Sequence, residues 1–434
     1  MGAMKKAILL VCLSALLLAV GSRENSVPTN LVLIVVDTLR LDEARNPDIA
    51  PNLTTLAGQA TVYAQAYSNC PWTKPSMAAM FTGVYPSVHR AVKANARKAD
   101  IKGNYLNPEL QTLTEYLKQA GFHTAAMQAN PFLNRSMHMD QGFDTYTYLP
   151  RNPADVVTDR AIAWLKDKAT APFFLYVHYM DPHMPYYKHT GMPAGFYPPD
   201  QARITRKMNR NQVLKLQLTQ KEKALLKRLY QGEVLFADQH IGRLLKYIEK
   251  LPANTLVALT ADHGEEFWEH GGFEHGHSQY NELLRVPLLL HTSGQTQALR
   301  VDHPFDLLRL PDLLLSSLGL VSPALYARAH TKAQAPVFSE SILYGKELKT
   351  IMKDQWKLVY TPYDQTVRLY DLTRDPGEQQ DVSDQHPDKV SQLTAALRQL
   401  MEQNEKLSKQ YKAEKAEPMD AEQLEHLRSL GYIE

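Results

Sequence analysis

The sequence contains little cysteine: Cys12 and Cys70 are its 2 cysteines in 434 residues. Cys12 lies in an N-terminal apolar stretch that we expect to be removed, which leaves Cys70 as a single thiol. A single thiol excludes a disulfide framework, so the hydrophobic core must stabilise the fold. The formal net charge is also small, at +2, so bulk charge identifies no partner and no nucleic-acid binding is expected.

Long apolar runs are scarce as well. The run from residue 7 to 21 follows Lys5 and Lys6, and it is too short and wrongly flanked for a typical membrane-spanning helix. It predicts a signal peptide over residues 1–22 and therefore an exported protein, secreted or periplasmic. An uncleaved, membrane-associated anchor is the alternative. Ser22 stands where a lipoprotein signal needs cysteine, which argues against lipid anchoring.

Shorter apolar runs alternate with amphipathic segments and predict the fold class. Residues 31–36, 173–179 and 255–260 are continuous apolar or β-branched runs, typical of strands buried on both faces of a parallel sheet. Helices are predicted between them, among them 110–121, 155–168 and 233–251. We therefore predict an α/β fold with a doubly wound, mostly parallel sheet over residues 28–330.

The C-terminal part has a different pattern. Short strands at 337–338, 357–360 and 367–370 are followed by a charged helix over about 387–412. This order predicts a smaller α+β subdomain over residues 331–434, built on an antiparallel sheet.

Polar side chains follow the predicted strands where each strand ends. Asp37 follows the first run, Asp181 and His183 follow the second, and Asp262 and His263 follow the third. Ligands of open α/β sheets bind outside the carboxyl ends of the strands, so these groups should meet at one edge. Asp37, Asp262 and His263 form a plausible set of ligands for one divalent metal ion (zinc, manganese or calcium), and a second ion is left open.

Residues 69–83 offer a nucleophile beside this edge. Thr73 precedes Pro75 and Ser76 at the predicted start of a helix that ends at Gly83, and a helix N-terminus favours an anion. An ordinary capped helix is the alternative. A cation would lower the pKa of the threonine alcohol, so Thr73 is both a candidate nucleophile and a candidate metal ligand.

Several further side chains are candidates for contact with an anionic ester. His183 and either His275 or His277 could bind the anion or protonate the leaving group, with a structural histidine as the alternative for each. Lys93 is a weaker candidate, with a surface lysine as the alternative. Residues 203–228 carry nine Lys or Arg and only Glu222 as an acid. This segment is either a solvated helical face or a basic lid that contacts an anionic substrate, a membrane surface or a lipid headgroup.

A set of short motifs recurs along the chain, at 35–40, 51–53, 71–76, 82–86, 181–183, 262–265, 285–287, 369–372 and 430–432, with His178, Glu233 and Asp238. Together these motifs resemble the sulfatase branch of the alkaline phosphatase superfamily across nearly the whole mature chain. The resemblance implies that Asp37, Thr73, Asp262 and His263 surround the catalytic metal, that His183 contacts the substrate anion, and that His275 or His277 takes the leaving-group position.

The departures from this family are informative. Sulfatases carry Cys or Ser at the position of Thr73 and convert it to formylglycine, and Met77 stands in place of the motif's arginine. Thr38 replaces a second aspartate. Asn130 stands near the place of a missing lysine segment and is a candidate substrate contact. A threonine nucleophile resembles instead the phosphodiesterases and phosphoryl-headgroup transferases of the superfamily.

Three functions follow from these observations. The first is an exported, metal-dependent hydrolase or transferase that cleaves a phosphate ester, in particular a diester, through Thr73. The second is a sulfuric ester hydrolase that works without formylglycine. The third is an inactive scaffold that binds anions or glycans, against which the combined presence of Asp37, Asp262 and His263 argues. Neither the acceptor nor the oligomeric state is predicted.

Overall fold

A computed structural model of the protein describes residues 27–92, 105–150, 152–168, 172–197, 203–205, 207–323, 335–412, 421–430 and 432. The predicted signal segment at 1–22 and the candidate Lys93 lie outside these residues. Among the described residues, no helix is both long and apolar enough to cross a membrane.

A mixed sheet of eight strands forms the centre of the fold, in the order β12-β2-β11-β7-β1-β6-β4-β5. Strands β7, β1, β6, β4 and β5 are mutually parallel, and β11 pairs antiparallel with β7. The strands are β1 (Asn30–Val36), β2 (Thr61–Tyr63), β3 (Ala66–Tyr67), β4 (His123–Gln128), β5 (Thr145–Tyr148), β6 (Phe173–Tyr179), β7 (Thr255–Thr260), β8 (Glu266–Phe267), β9 (Phe273–Glu274), β10 (Arg285–Val286), β11 (Leu288–Thr292), β12 (Leu299–Val301), β13 (Phe305–Asp306), β14 (Val337–Ser339), β15 (Lys349–Lys353), β16 (Trp356–Thr361) and β17 (Thr366–Asp371). The predicted α/β fold with a mostly parallel sheet is confirmed.

Strand β1 shows why these apolar runs form the centre. It lies between β6 and β7, and every residue of it is buried. A strand covered on both faces needs apolar side chains at every position rather than at alternate ones. This is why the continuous runs predicted β6 and β7 with the bounds that the structure gives them.

Helices cover both faces of the sheet. Their bounds are α1 (Leu41–Ala44), α2 (Pro51–Ala57), α3 (Thr73–Thr82), α4 (Pro86–His89), α5 (Leu113–Gln119), α6 (Ala154–Lys168), α7 (Arg210–Leu214), α8 (Gln220–Ile248), α9 (Asn281–Leu284), α10 (Leu310–Ser317), α11 (Pro387–Ser408) and α12 (Ala421–Ser429), with 3-10 turns at Pro131–Leu133, Arg135–Met137, Ala194–Phe196, Leu307–Arg309 and Ser383–Gln385.

Two helices begin several residues away from the start that the sequence pattern predicted. Helix α5 begins at Leu113 rather than near residue 110, because Thr112 and Glu115 form a capping box there. Helix α8 begins at Gln220 rather than 233, again after a capping box, formed by Thr219 and Glu222. In both cases the reciprocal side-chain caps satisfy backbone N–H groups that have no partner inside the helix.

A smaller antiparallel sheet, β14-β15-β16-β17, lies in the C-terminal part. Helix α11 packs on it through Leu393 and Leu397, which share a core cluster with Phe338, Ile351 and Leu358. The additional small sheet is therefore confirmed, whereas the boundary at residues 330 and 331 stays a prediction.

Candidate active site

The carboxyl ends of neighbouring parallel strands bring the predicted polar groups to one edge of the sheet. Asp37 follows β1, Asn130 follows β4, and Asp262 and His263 follow β7. Thr73 is the first residue of α3, whose ten residues are all buried. The structure therefore brings together the four side chains named as metal ligands, and Asn130 with them.

Hydrogen bonds leave one oxygen of each carboxylate without a partner. Oδ2 of Asp37 accepts from Asn130 Nδ2 at 2.5 Å, His178 Nε2 at 3.2 Å and Thr73 Oγ1 at 3.4 Å, whereas its buried Oδ1 accepts none. Oδ1 of Asp262 accepts from the backbone N–H groups of His263 at 3.0 Å and Thr38 at 3.3 Å, whereas its buried Oδ2 accepts none. Such unpaired buried oxygens are costly in an apolar interior.

His263 faces these two unpaired oxygens. Its Nδ1 donates to the carbonyl oxygen of Gly264 at 2.9 Å, so the lone pair of the neutral ring lies on Nε2. That Nε2 is 3.4 Å from Asp262 Oδ2, 3.7 Å from Asp37 Oδ1 and 3.3 Å from Thr73 Oγ1. Two carboxylate oxygens, an imidazole nitrogen and an alcohol oxygen thus converge, and this donor set fits a divalent cation such as zinc or manganese.

The pKa values of the two carboxyl groups are shifted in opposite directions. Burial alone would raise the pKa of Asp37, but the hydrogen bond from His178 and the nearby histidines lower it to about 2. Burial raises the pKa of Asp262 well above its usual value, and the negative charge of Asp37 adds to this effect. A bound cation would offset this mutual repulsion and hold both groups as carboxylates.

Four side chains form a hydrogen-bonded chain beside this centre, which we call the His275 relay: Glu265, His275, Tyr432 and His183. Glu265 Oε1 lies 2.9 Å from His275 Nδ1. The hydroxyl of Tyr432 lies 2.9 Å from His275 Nε2 and 2.6 Å from His183 Nε2. The rings of His275 and His263 are 4.4 Å apart between centroids, so the relay adjoins the candidate metal centre.

The proton positions in the relay follow from the hydrogen bonds of His183, the last of its four residues. His183 Nδ1 donates to the carbonyl oxygen of Met184, so Nε2 of the neutral ring accepts from the hydroxyl of Tyr432. The oxygen of Tyr432 then accepts from His275 Nε2–H, and the Nδ1 of His275 accepts from a protonated Glu265. Burial lowers the pKa of both histidines and raises that of Glu265, which agrees with these proton positions.

The remaining candidates lie elsewhere. His277 Nε2 contacts Glu266 Oε2 at 2.7 Å and takes no part in the relay, so of the two histidines that the sequence left open the geometry places His275 beside the centre. In the basic segment 203–228, Arg203 pairs with Glu222 at 2.8 Å, and Arg210 Nε lies 3.6 Å from Glu274. Some of its cations are thus already engaged within the protein.

Sequence reasoning gave no role to three groups of this site. His178 contacts Asp37 through Nε2 and the hydroxyl of Tyr176 through Nδ1 at 2.7 Å. His178 lies inside the predicted strand 173–179, where residues 176 and 178 share one face of the sheet, and this position was the available signal. Glu265 was visible only as part of a motif. Tyr432 was likewise visible only as part of the motif at 430–432, and its contact with His183, 249 residues away along the chain, follows from no local pattern.

Comparison with known proteins agrees with this architecture. Residues 29–316 match the family model described as Sulfatase. The chain is 24% identical over 356 residues to the multifunctional alkaline phosphatase superfamily protein PehA of Trinickia caryophylli, which covers 62% of this chain and 69% of PehA. It is 22% identical over 402 residues to a sulfatase of Formosa agariphila, covering 76% of this chain and 77% of that protein.

Among solved structures, the fold is similar to that of the phosphonate monoester hydrolase of Silicibacter pomeroyi. The TM-score is 0.68 at 19% identity, with 86% of this chain and 95% of the other chain covered. At this identity the likeness concerns the fold alone.

Proposed function

The chain belongs to the sulfatase family, and on that premise we propose that it is an exported, metal-dependent hydrolase or transferase that cleaves phosphate diesters through Thr73. The family supports the coarser statement, a sulfatase-like ester hydrolase. The choice of phosphate, the role of each side chain and export are the proposal.

The position of Thr73 carries this proposal. Its Oγ1 lies 3.3 Å from His263 Nε2 and 3.4 Å from Asp37 Oδ2, at the N-terminus of a buried helix. The family resemblance places a formylglycine precursor here, but threonine carries a methyl group on Cβ, so oxidation of its alcohol would give a ketone and no aldehyde. The alcohol itself is therefore the group that can attack an ester.

Met77 supports the same reading. The resemblance places an arginine at this position, whereas the fully buried Met77 has its sulfur 3.9 Å from the hydroxyl of Tyr176. The arginine's fixed charge is therefore missing beside the nucleophile. Met77 is therefore a second departure from the sulfatase pattern, after Thr73.

Asp37, Asp262, His263 and Thr73 would hold one divalent cation, with His178 hydrogen-bonded behind Asp37. When bound, such a cation neutralises the charge of an ester oxygen and lowers the pKa of an alcohol. Asn130 fixes Asp37 through its Nδ2 and is itself fixed, because its Oδ1 accepts from Phe132 N at 2.8 Å.

The residues of the site then divide the reaction between them. The Thr73 hydroxyl loses its proton to solvent, its Oγ forms a bond to phosphorus, and the bond from phosphorus to the leaving oxygen breaks. His275 supplies its Nε2 proton to that leaving oxygen while protonated Glu265 passes its proton to His275 Nδ1, so the ring stays neutral and Glu265 becomes a carboxylate. Water or an alcohol then forms a bond to phosphorus and the bond from phosphorus to Thr73 Oγ breaks. The proton of the attacking group returns through His275 to Glu265, and Thr73 Oγ regains a proton from solvent.

Sulfate esters are the second candidate, because a sulfatase is among the relatives of this chain. The two candidates separate when the purified protein is assayed on aryl phosphodiester, phosphomonoester and sulfate substrates, with metal analysis alongside. We expect the highest kcat/KM on the diester and its loss in Thr73→Ala. Equal rates for Thr73→Ala and the wild type on every substrate would reject both enzyme functions that rest on Thr73.

Export needs its own measurement. The N-terminal residue of the mature protein, determined by mass spectrometry on protein from the periplasmic or culture fraction, should follow residue 22 or lie close to it. Recovery of the intact N-terminus in the cytoplasm alone would reject export.

A further inference from the structure

A second group of potential metal-binding side chains lies beside the site already described. Asp181 follows β6, His189 lies in the connection after it, and Glu233 lies on α8. One ligand atom of each lies within 4.8 Å of the other two. These three residues border a cavity of about 260 Å³ that His183 also lines, so the group is reached from the same cavity as the relay.

The histidine of this group is held in a defined orientation. The ring of His189 stacks on the ring of Phe236 with 3.6 Å between centroids and 8° between planes. Its Nε2 lies 2.7 Å from Glu233 Oε2 and 3.7 Å from Asp181 Oδ1. The other oxygen of Glu233 accepts a hydrogen bond from the backbone N–H of Tyr187. Fixed ligands of this kind reduce the ordering cost of metal binding.

Asp181 supplies the independent observation that a ligand belongs here. Its side chain is only 5% exposed, and its Oδ2 is buried without a hydrogen-bond partner. Among the residues that the structure describes, the only basic group paired with this carboxylate is His189. Two carboxylates and one imidazole thus lie together, and one oxygen of Asp181 has no hydrogen-bond partner in the described part of the chain.

We propose that Asp181, His189 and Glu233 form a second binding site for a divalent cation, distinct from the centre at Asp37 and Asp262. Two carboxylate oxygens and one imidazole nitrogen are the ligand set of a zinc or manganese site that keeps a position open. All three side chains belong to residues that line the cavity. The proposal concerns metal binding and does not depend on which ester the protein cleaves.

The test uses the full chain, stripped of metal with a chelator and then dialysed at neutral pH against Zn²⁺ in one series and Mn²⁺ in another. Bound metal is counted by mass spectrometry of the digested protein. We expect the wild type to bind one equivalent more than Asp181→Asn, and His189→Gln to lose the same equivalent. Asp159→Asn is the matched control, because Asp159 is 65% exposed and pairs with Arg243 outside the cavity, and it should bind as much as the wild type.

Asp37→Asn separates this proposal from the proposed function. It should lose the equivalent at the first centre and keep the one that Asp181→Asn loses. If Asp37→Asn lost bound metal while the wild type and Asp181→Asn bound equal amounts, the second site alone would be overturned. Loss of metal in Asp181→Asn but not in Asp37→Asn would instead sustain the second site and reject the first.

Anomalous diffraction from wild-type crystals soaked in Zn²⁺ gives a readout that needs no variant. A peak between Asp181, His189 and Glu233 is the expected result. Density there that does not scatter anomalously, such as a bound ammonium group or water, would overturn the proposal.

Discussion

Removing the hydroxyl of Tyr432 tests the relay most sharply. Tyr432→Phe deletes one oxygen and keeps the ring, which packs against Phe132 with 4.7 Å between centroids. The deletion takes a hydrogen-bond partner from His183, at 2.6 Å, and from His275, at 2.9 Å. Both imidazoles are buried, and a buried polar group that loses its partner costs about 1–3 kcal/mol.

The expected loss of stability follows from the two hydrogen bonds that the variant lacks. Two buried groups at the lower limit give a loss of about 2 kcal/mol in the free energy of unfolding, measured by urea denaturation. The relay also loses the oxygen that orients His275, so we expect kcat to fall by about tenfold to a hundredfold while KM changes little. Nitrogen NMR of the imidazoles should show that His275 no longer keeps its proton on Nε2.

The control for this variant is Tyr363→Phe, since Tyr363 is 76% exposed. It makes the same chemical change on the surface and should alter neither stability nor rate. If Tyr432→Phe matched this control within twofold in kcat and kept the wild-type nitrogen spectrum, the relay would play no part in orienting His275.

Two further predictions concern pH and metal. Burial lowers the pKa of His89 from 6.5 to about 3, and the neutral ring is satisfied at both nitrogens, by Pro75 O at 3.1 Å and Ala91 N at 3.0 Å. Between these pKa values only the unfolded chain binds the proton, so the free energy of unfolding should fall as pH drops, by at most about 1.4 kcal/mol per pH unit. Urea unfolding of His89→Gln should show a shallower decline with pH. An unchanged slope would contradict the lowered pKa of His89. Chelation of bound metal should abolish ester hydrolysis and lower Tm. Adding Zn²⁺ or Mn²⁺ back should restore both in the wild type but not in Asp262→Asn. Full activity after complete metal removal would contradict the metal centre.

The central strands could be predicted from the sequence because their signal is local. Burial on both faces requires a continuous apolar run, and the bounds of β6 and β7 coincide with such runs. The polar residues after β1 and β7 were likewise visible, because a parallel sheet places its carboxyl ends at one edge. The convergence of Asp37 and Asp262 is a direct consequence of this topology.

The position of Tyr432 and the choice between His275 and His277 depended on contacts that no local sequence pattern encodes. Tyr432 reaches the centre from the last residues of the chain, 157 positions after His275. The choice between His275 and His277 required the fold, because alternate residues of one loop point to different partners, Glu265 and Glu266. The starts of α5 and α8, by contrast, are encoded locally by the capping boxes Thr112–Glu115 and Thr219–Glu222, which the apolar pattern alone does not reveal.

The central claim is that the hydroxyl of Thr73 is the attacking group. Intact-mass spectrometry after brief exposure to an aryl phosphodiester, quenched in acid, tests it most directly. We predict an added mass equal to one phosphoryl ester, located on the peptide that contains Thr73 and absent from Thr73→Ala. Steady turnover of the same substrate by the Thr73→Ala variant, or an adduct on any other residue, would contradict the account.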